Sequence, residues 1–259
     1  MQNLNGKRIV VTGGSQGLGL AMVEALAASG ALVTAIARDR TNFAAAERAG
    51  AAIIAGDATD ATLMNRIVSE ETPDVLILNA GARIPMKTID ELSWEEFSGI
   101  WNTDVKAGLA GIQAALKTPM KQGGRVLVMS SGAATVMSVP HFAPENLRLS
   151  GGYVGAKRML WFMAHSANAV SRERGLGLHF QVLVPNQLML GTALGHQVAS
   201  VHAAIEGVSV EEHVIKRYGS IFEPREFAER VAELLADPRY SGGVAYGFHA
   251  DTGITSLDI

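Results

Sequence analysis

Tyr153 and Lys157 are the residues of this sequence whose types and spacing most directly suggest chemistry. They stand four positions apart at the start of a predicted helix over residues 151–174, so both side chains lie on one helix face. An ammonium near a phenol favours the phenolate, and the tyrosine then exchanges a proton nearer neutral pH than its free value of about 10. The spacing predicts a proton-transfer pair, although a surface tyrosine beside a solvated lysine shows the same pattern.

A second chemical signal is the glycine-rich turn within residues 9–19, Ile-Val-Val-Thr-Gly-Gly-Ser-Gln-Gly-Leu-Gly. A β-branched run comes first, glycines follow at 13, 14, 17 and 19, and an apolar helical pattern begins at once. A dinucleotide site requires this order of strand, turn and helix. The glycines let the backbone approach a pyrophosphate, and the helix N-terminus offers it free N–H groups. A tight turn without a ligand is the alternative interpretation.

The elements that must position these residues alternate along the whole chain. Predicted strands cover residues 9–11, 31–37, 51–55, 75–78, 125–129, 178–184 and 244–248, and predicted helices cover residues 43–49, 59–71, 94–116, 151–174 and 226–236. Such alternation predicts an α/β fold with a Rossmann-like, doubly wound parallel sheet in three layers, α/β/α. No linker or repeat divides the sequence, so we expect one domain over residues 1–259.

Polar residues and glycines follow the predicted strands. Ligands of an open parallel sheet bind outside the carboxyl ends of the strands, so residues at these places are candidates for binding. They are Arg38, Asp39 and Arg40, then Gly56 and Asp57, then Asn79, Ala80 and Gly81, then Ser130 and Ser131, and finally Pro185 and Asn186. Their gathering at one edge predicts a nucleotide cleft there.

The composition narrows the classes of function. The chain is 48% hydrophobic and carries a formal net charge of −3, which argues against nucleic acid or an anionic membrane surface as a partner. The absence of cysteine excludes disulfides and thiolate metal sites and fits a reducing, cytoplasmic compartment. The histidines show no metal-ligand spacing with carboxylates, so no metal is expected, and His141 or His196 is at most a substrate contact.

One long, mostly apolar run, residues 18–37, has the length of a membrane span. Glu24, Ser29, Gly30 and Thr34 interrupt it, and Ser29 with Gly30 is typical of a turn between a helix and a strand. The first residues also lack the apolar core of a signal peptide. We therefore expect a soluble, cytoplasmic protein.

Taken together, these motifs resemble the short-chain dehydrogenase/reductase family over nearly the whole chain. The matching residues are Thr12 to Gly19, Asp57, Asn79 to Gly81, Ser131, and Tyr153 to Lys157, with a weaker match at residues 222–228. The resemblance implies hydride transfer between a nicotinamide cofactor and an alcohol or ketone. It further implies that Tyr153 is the acid and base, that Ser131 orients the substrate oxygen, and that Lys157 holds the nicotinamide ribose and assists the tyrosine.

The same resemblance implies a set of residues that bind the cofactor. They are Gly13, Ser15, Gln16, Gly17, Leu18, Gly19, Arg38, Asp57, Ala58, Asn79, Ala80, Gly81, Tyr153, Lys157 and Pro185. Arg38, with Arg40 as a second cation, suits the 2′-phosphate of NADP, which is the favoured cofactor. Asp39, about twenty residues past the last glycine, and Gln16 instead favour NAD.

Asp104 is the departure from the family pattern with the clearest chemical consequence, because the family has an asparagine at this place. An ionised carboxylate there stabilises the Lys157 ammonium and opposes the Tyr153 phenolate. The sequence thus predicts a fourth active-site residue, with alkaline-shifted alcohol oxidation. The alternative is that Asp104 only bonds backbone in a bent helix or points to solvent.

Other departures lie near the expected pocket. Ser131 stands further from Tyr153 than is usual, so residues 133–152 carry an insertion, in which Ser138 is a poorer candidate than Ser131. Asn186 follows Pro185 where glycine is usual, and the threonine that commonly comes next is displaced to Thr192. The tail, residues 251–259, lacks the family's glycine pair.

Substrate and subunit contacts are less specific. Residues 187–219 are expected to cover the pocket, and their apolar members suggest a substrate with an apolar body: Leu188, Met189, Leu190 and Leu194. A homotetramer or dimer is expected from the resemblance. Contacts between subunits, or packing on the sheet, would involve Trp161 and Phe162 with the small residues Gly108, Ala110, Gly111 and Ala114.

Two other functions compete with an alcohol dehydrogenase or carbonyl reductase. A catalytically weak or inactive dinucleotide-sensing protein is the first, and an epimerase or dehydratase on a related fold is the second. Sensors typically lose the tyrosine and the lysine, whereas both are present here. The pair therefore favours the enzyme.

Overall fold

The structure is a computed structural model that describes residues 4–39, 43–118, 120–135 and 148–258. The strands are β1 (Arg8–Thr12), β2 (Leu32–Ala37), β3 (Ala52–Ala55), β4 (Val75–Leu78), β5 (Arg125–Met129), β6 (His179–Pro185), β7 (Ala245–His249) and β8 (Gly253–Ser256). The helices are α1 (Gly17–Ala28), α2 (Ala44–Arg48), α3 (Ala61–Glu71), α4 (Trp94–Ile100), α5 (Lys106–Lys117), α6 (Tyr153–Glu173), α7 (Ala193–Glu206), α8 (Val210–Tyr218) and α9 (Pro224–Ala236).

One sheet joins all these strands in the order β3-β2-β1-β4-β5-β6-β7-β8. Every pairing is parallel except that of β7 with β8. The chain proceeds outward from β1 to β3 and then returns to place β4 on the other side of β1. This reversal confirms the predicted doubly wound sheet, and it opens a crevice at the carboxyl ends of β1 and β4.

Alternate residues of the strands pack into two hydrophobic layers, one on each face of the sheet, because successive side chains point to opposite faces. On one face, Val11 and Ile77 belong to a buried cluster with residues of α1 and α9. On the other, Val10 and Leu76 belong to a cluster with residues of α3, α5 and α6. The three-layer arrangement predicted from the sequence is therefore confirmed.

Local signals set several helix ends. Asp60 accepts hydrogen bonds from Thr62 N and Leu63 N and caps α3. Ser93 and Glu96 form a capping box at the start of α4. Pro224 occupies the first turn of α9, two residues before the predicted start at residue 226.

The predicted apolar run at residues 18–37 is divided as expected. Helix α1 ends at Ala28, and Gly30 turns the chain with a φ of 89° before β2 begins. Among the described residues, no helix combines the length and the apolar composition needed to cross a bilayer.

One sequence prediction about the elements was wrong, and one was incomplete. The strand predicted at residues 244–248 is not the last, because the chain turns back at Gly253 (φ 74°) and β8 pairs antiparallel with β7. The helical stretch predicted at residues 94–116 is confirmed, since helical backbone runs from Trp94 to Lys117; the π-helical turn inside it, Trp101–Val105, was not indicated by the sequence. Strand β8 has only four residues, with no alternation of polar and apolar side chains, so the sequence does not indicate it. A single π-helical turn likewise does not change the hydrophobic periodicity enough to be recognised.

Candidate active site

A cleft of about 640 Å³ opens at the carboxyl edge of the sheet, a volume in the usual range of ligand sites. It collects nearly all of the predicted site residues. Those that line it are Gly13, Ser15, Gln16, Gly17, Leu18, Arg38, Asp57, Ala58, Asn79, Ala80, Gly81, Asp104, Ser131, Tyr153, Lys157 and Pro185. Gly19 is the exception and lies behind the lining.

The glycine turn packs too closely for side chains. A Cβ on Gly13, whose φ is 69°, would lie 3.0 Å from Ala80 Cα, and one on Gly19 would lie 2.0 Å from Gly13 O. The absence of a side chain at Gly19 therefore lets α1 approach the turn, and its contact with a cofactor stays a prediction.

The N-terminus of α1 faces this cleft through Gly17 and Leu18. Gln16 is the N-cap, yet its side chain makes no capping hydrogen bond, and the first turn holds no acidic residue. The first amides of a twelve-residue helix are thus left without a competing carboxylate. A cleft with this turn, this helix end and this volume fits a dinucleotide whose pyrophosphate needs N–H donors.

Tyr153 and Lys157 lie in the first turns of α6 and are both buried, at 8% and 5% exposure. Lys157 Nζ stands 5.5 Å from the centre of the Tyr153 ring. The predicted pairing on one helix face is therefore confirmed. Helix α6 is itself held to β5, since Ser130 Oγ donates to Lys157 O over 2.9 Å and Lys157 Nζ lies 3.4 Å from Met129 O.

Ser130 and Ser131 have different environments although both follow β5. Ser130 is 2% exposed and its hydroxyl is used by the backbone of α6. Ser131 lines the cleft as the N-cap of a short turn, Gly132–Ala134, and its Oγ accepts from Ala133 N over 3.2 Å. The hydroxyl proton of Ser131 is not used in this contact, and its expected role toward a substrate oxygen stays a prediction.

Asp104 lies on the π-helical turn and points inward, at 2% exposure. Its Oδ2 lies 2.9 Å from Lys157 Nζ, and its Oδ1 accepts from Ala82 N over 2.7 Å. The interpretation that it points to solvent was wrong. It does bond backbone in an interrupted helix, but it also meets the lysine directly, and the sequence did not indicate the contact with Ala82.

Two opposing effects act on Lys157. Burial lowers the pKa of its ammonium, while the charge of Asp104, the nearby Tyr153 and the hydrogen bond to Asp104 raise it, and the net direction is upward. The lysine is therefore held in its charged form.

The other end of the cleft is lined by Arg38, Asp39 and Asp57 after β2 and β3. A backbone hydrogen bond from Thr59 is the main reason that the pKa of Asp57 lies below its ordinary value, against the effect of burial, and the charge of Arg38 adds to the lowering. This end of the cleft thus holds an ionised carboxylate and a cation close together.

The segment predicted to cover the pocket, residues 187–219, forms α7 and α8, and its ends are fastened together. Gln187 is 6% exposed; its Nε2 donates to Ser220 O over 3.0 Å, and its Oε1 accepts from Ala250 N over 2.6 Å. Thr192 caps α7 by accepting from Gly195 N, and it lines the cleft opposite Gly17. Sequence reasoning did not single out Gln187, because a lone glutamine after a strand carries no motif.

The wall beside Tyr153 is apolar. Ile84, Ile100 and Tyr153 form a buried cluster against which Leu194 and Val198 of α7 pack. Gln197 Nε2 holds α7 to the opposite loop by donating to Ile84 O over 3.1 Å. Leu188 and Met189 also line the cleft.

Some predicted residues do not reach the cleft. His196 is exposed, with its Nδ1 3.2 Å from Ser200 Oγ, and it is not among the lining residues. Arg40, Ser138 and His141 lie outside the described residues. In the parts that the structure describes, no three His, Asp or Glu side chains are grouped as metal ligands would be.

The small residues of α5 are used inside the subunit. A Cβ on Gly108 would lie 2.3 Å from Leu160 of α6, and one on Gly111 would lie 2.2 Å from Leu78 of β4. Gly111 thus packs on the sheet, as the alternative prediction had it, whereas Gly108 packs against α6; contact between subunits stays a prediction. Leu109 and Phe162 remain exposed, at 43% and 65%.

The fold and the site together define a class of protein. A doubly wound sheet with a glycine turn before its first helix binds dinucleotides, and here a buried phenol and a buried ammonium lie in the same cleft. The chain belongs to the short-chain dehydrogenase/reductase family, since the short chain dehydrogenase profile of that family matches residues 7–144. It is accordingly an NAD(P)-dependent oxidoreductase.

Individual relatives match most of the chain, and two of the three that follow are named as dehydrogenases. The chain is 31% identical over 247 residues to L-fucose dehydrogenase of Rattus norvegicus, a match that covers 93% of this chain and 87% of that protein. It is 28% identical over 256 residues to 2,5-dichloro-2,5-cyclohexadiene-1,4-diol dehydrogenase of Sphingobium indicum, covering 92% of each. It is also 26% identical over 245 residues to the cyclic-di-GMP-binding biofilm dispersal mediator protein of Escherichia coli, covering 93% of this chain and 94% of that one.

Proposed function

We propose that the protein is an alcohol dehydrogenase or carbonyl reductase in which Tyr153, Lys157 and Ser131 handle the substrate oxygen. The observation that carries this proposal is that all three line one cleft with the glycine turn, and that Tyr153 and Lys157 are buried there. A sensor would not need a buried phenol and ammonium beside an apolar wall. The oxidoreductase is therefore favoured over an inactive binding protein.

The residues act on one oxygen atom. When bound, the nicotinamide supplies the hydride in reduction and accepts it in oxidation. During reduction, the hydroxyl of Ser131 donates to the carbonyl oxygen and the hydroxyl of Tyr153 gives it a proton, so that the developing charge is neutralised. During oxidation, Tyr153 takes the alcohol proton, and Lys157 stabilises the resulting phenolate.

The substrate class follows from the walls of the cleft. Ile84, Leu194 and Val198 surround Tyr153 with apolar groups, and Leu188 and Met189 extend this surface. Two relatives are named for L-fucose and for a cyclic diol, which both carry alcohol groups on a ring carbon. We therefore infer a secondary alcohol or ketone with an apolar body as the substrate.

NADP(H) is the cofactor that we favour. Arg38 follows β2 directly and lies exposed at the cleft, where a guanidinium can pair with a 2′-phosphate. Asp39 lies beside it, and this carboxylate and Gln16 would suit NAD(H) instead. Calorimetry with both cofactors decides between them.

The assembly that we expect is a single catalytic domain per chain, present in the cytoplasm as a homodimer or homotetramer. All the described strands join one sheet, which supports one domain. Exposed Leu109 on α5 and Phe162 on α6 support contact between copies through these helices. Light scattering of the parent and of a Phe162→Ser variant tests the assembly.

The function is tested with a panel of secondary alcohols and ketones, each offered with NADP(H) and NAD(H) and followed by nicotinamide absorbance. Turnover of an apolar secondary alcohol or ketone supports the proposal. Cofactor binding without turnover of any member, in a protein that is folded, would support the sensing protein instead.

A further inference from the structure

Asp104 carries a negative charge at a position where the family pattern has a neutral asparagine. The resemblance implies an amide here, whereas this chain has a carboxylate that is buried against an ammonium. The two side chains are 1% and 6% exposed, and 2.9 Å separates Oδ2 from Nζ. Such a pair acts in a dry environment, where charges interact far more strongly than at a surface.

The carboxylate is shared between two parts of the site. Its Oδ1 accepts from Ala82 N over 2.7 Å, which fastens the first part of the loop after β4. Gly81 makes room for it, since a Cβ there would lie 3.0 Å from Asp104 Oδ2. The π-helical turn places Asp104 between this loop and α6, because an extra residue in the turn changes which side chain points inward.

We propose that Asp104 is a positioning residue that fixes Lys157 as an ammonium, joins it to the loop at residues 79–82, and makes the site favour carbonyl reduction. This inference rests on the proposed function. The carboxylate offsets the ammonium, so the pair stabilises a Tyr153 phenolate less than a lone lysine does. The protonated tyrosine, which donates to a carbonyl oxygen, is thereby favoured over the form that accepts a proton from an alcohol.

The upward shift of the Lys157 pKa agrees with this role. Burial lowers the pKa of Lys157, and the carboxylate of Asp104 and the phenol of Tyr153 raise it above its ordinary value. They are the ionisable groups that act on this ammonium among the described residues, from the π-helical turn and from α6 itself. Without the carboxylate, burial would act against the phenol alone, and the pKa of Lys157 would fall.

The stabilising effect of the pair has a defined pH range. The folded protein holds the lysine proton more tightly than the unfolded chain, so the stabilisation is complete below the unfolded pKa of about 10.4 and is lost as pH rises through the folded value. In Asp104→Asn the charged form of the lysine lacks its buried partner, so the variant loses this stabilisation, and the loss becomes smaller as the lysine gives up its proton at higher pH.

Thermal unfolding of the cofactor-free, full-length protein is the first test and does not depend on activity. Asp104→Asn can still accept from Ala82 N, so it removes the charge and keeps the backbone contact. At pH 7 its Tm is expected to fall by at least about 6 °C, since breaking a buried pair leaves an unpaired charge. Asp104→Asn/Lys157→Met is expected to recover most of this loss.

A matched control uses an ion pair of the same length at the surface. Arg225 Nε and Glu229 Oε1 also lie 2.9 Å apart, but the side chains are 87% and 54% exposed. Glu229→Gln is expected to change Tm by no more than about 2 °C. The proposal would be overturned if the Tm losses of the changes at residues 104 and 157 were additive in the double variant. It would also be overturned if Asp104→Asn lowered Tm no more than Glu229→Gln does.

The second test separates positioning from a merely structural role by pH dependence in the two directions. The ascending limb of alcohol oxidation is expected to move to lower pH in Asp104→Asn, by roughly one to two pH units. At alkaline pH both directions should decline earlier than in the parent, because the unpaired lysine loses its proton. A uniform loss with coincident profiles would contradict the proposal.

The two tests also separate this inference from the function on which it rests. If no alcohol or ketone is turned over, the proposed function fails, while the recovery of Tm in the double variant still shows whether the pair is coupled. If turnover is found but the profiles coincide, the function stands and the role of Asp104 fails.

Discussion

Thr12 and Asn79 are fastened to each other by two hydrogen bonds that run in the same direction. Asn79 N donates to Thr12 Oγ1 over 2.9 Å, and Asn79 Nδ2 donates to Thr12 O over 3.1 Å. Thr12 ends β1 and Asn79 follows β4, so the bonds join the glycine turn to the neighbouring loop. The floor of the cofactor cleft is thus one connected unit rather than two separate loops.

Thr12→Val is expected to destabilise the protein and to weaken cofactor binding. Thr12 is 1% exposed, and its hydroxyl also accepts from Ala80 N. Valine keeps the shape but leaves two N–H groups without an acceptor, which costs about 2–4 kcal/mol in the free energy of unfolding. Denaturant titration measures this change in the free energy of unfolding. Thr12→Ser keeps the hydroxyl and is the control; equal stability of the two variants would contradict the argument.

Tyr153→Phe is expected to lower kcat/KM by about 10²–10⁴-fold while leaving the cofactor Kd nearly unchanged. The hydroxyl serves the substrate oxygen, whereas the buried ring keeps its place beside Lys157. Steady-state kinetics and calorimetry are measured on the same preparation. Turnover close to that of the parent would remove Tyr153 from its assigned role.

Arg38→Gln is expected to weaken NADP(H) binding by roughly ten- to hundredfold, the value of one charge-assisted contact to phosphate. NAD(H) binding should change little, since that cofactor lacks the 2′-phosphate. Calorimetry with both cofactors checks both statements. If the parent protein binds NAD(H) more tightly than NADP(H), the assignment of Arg38 is reversed.

Gln187→Ala is expected to loosen the segment of α7 and α8 that covers the pocket. It removes the contacts to Ser220 O and Ala250 N, and the loss of the acceptor for the half-buried Ala250 N–H costs about 1 kcal/mol. KM for the substrate should rise severalfold, and proteolysis near residue 220 should become faster. Ser220→Ala keeps the backbone acceptor and is the control; if both variants behave alike, Gln187 does not fasten the segment.

The sequence by itself determined the order of the elements and the pair at the centre of the site. Helical and strand periods are local properties, so the strand, glycine turn and helix at residues 9–19 could be recognised without the tertiary structure. The four-residue spacing of Tyr153 and Lys157 is equally local, and α6 places them on one face. The carboxyl-edge rule then brought Asp57, Asn79 and Ser131 to the same cleft.

Only the tertiary structure decided which side chains meet across elements. Nothing local distinguishes Asp104 pointing to solvent from Asp104 paired with Lys157, because the outcome depends on a π-helical turn and on its packing against α6. Ser130 and Ser131 are adjacent, yet the pleat of β5 sends one hydroxyl to the backbone of α6 and the other to the cleft. Gln187 likewise owes its role to contacts with residues far away in the chain, which no spacing in the sequence encodes.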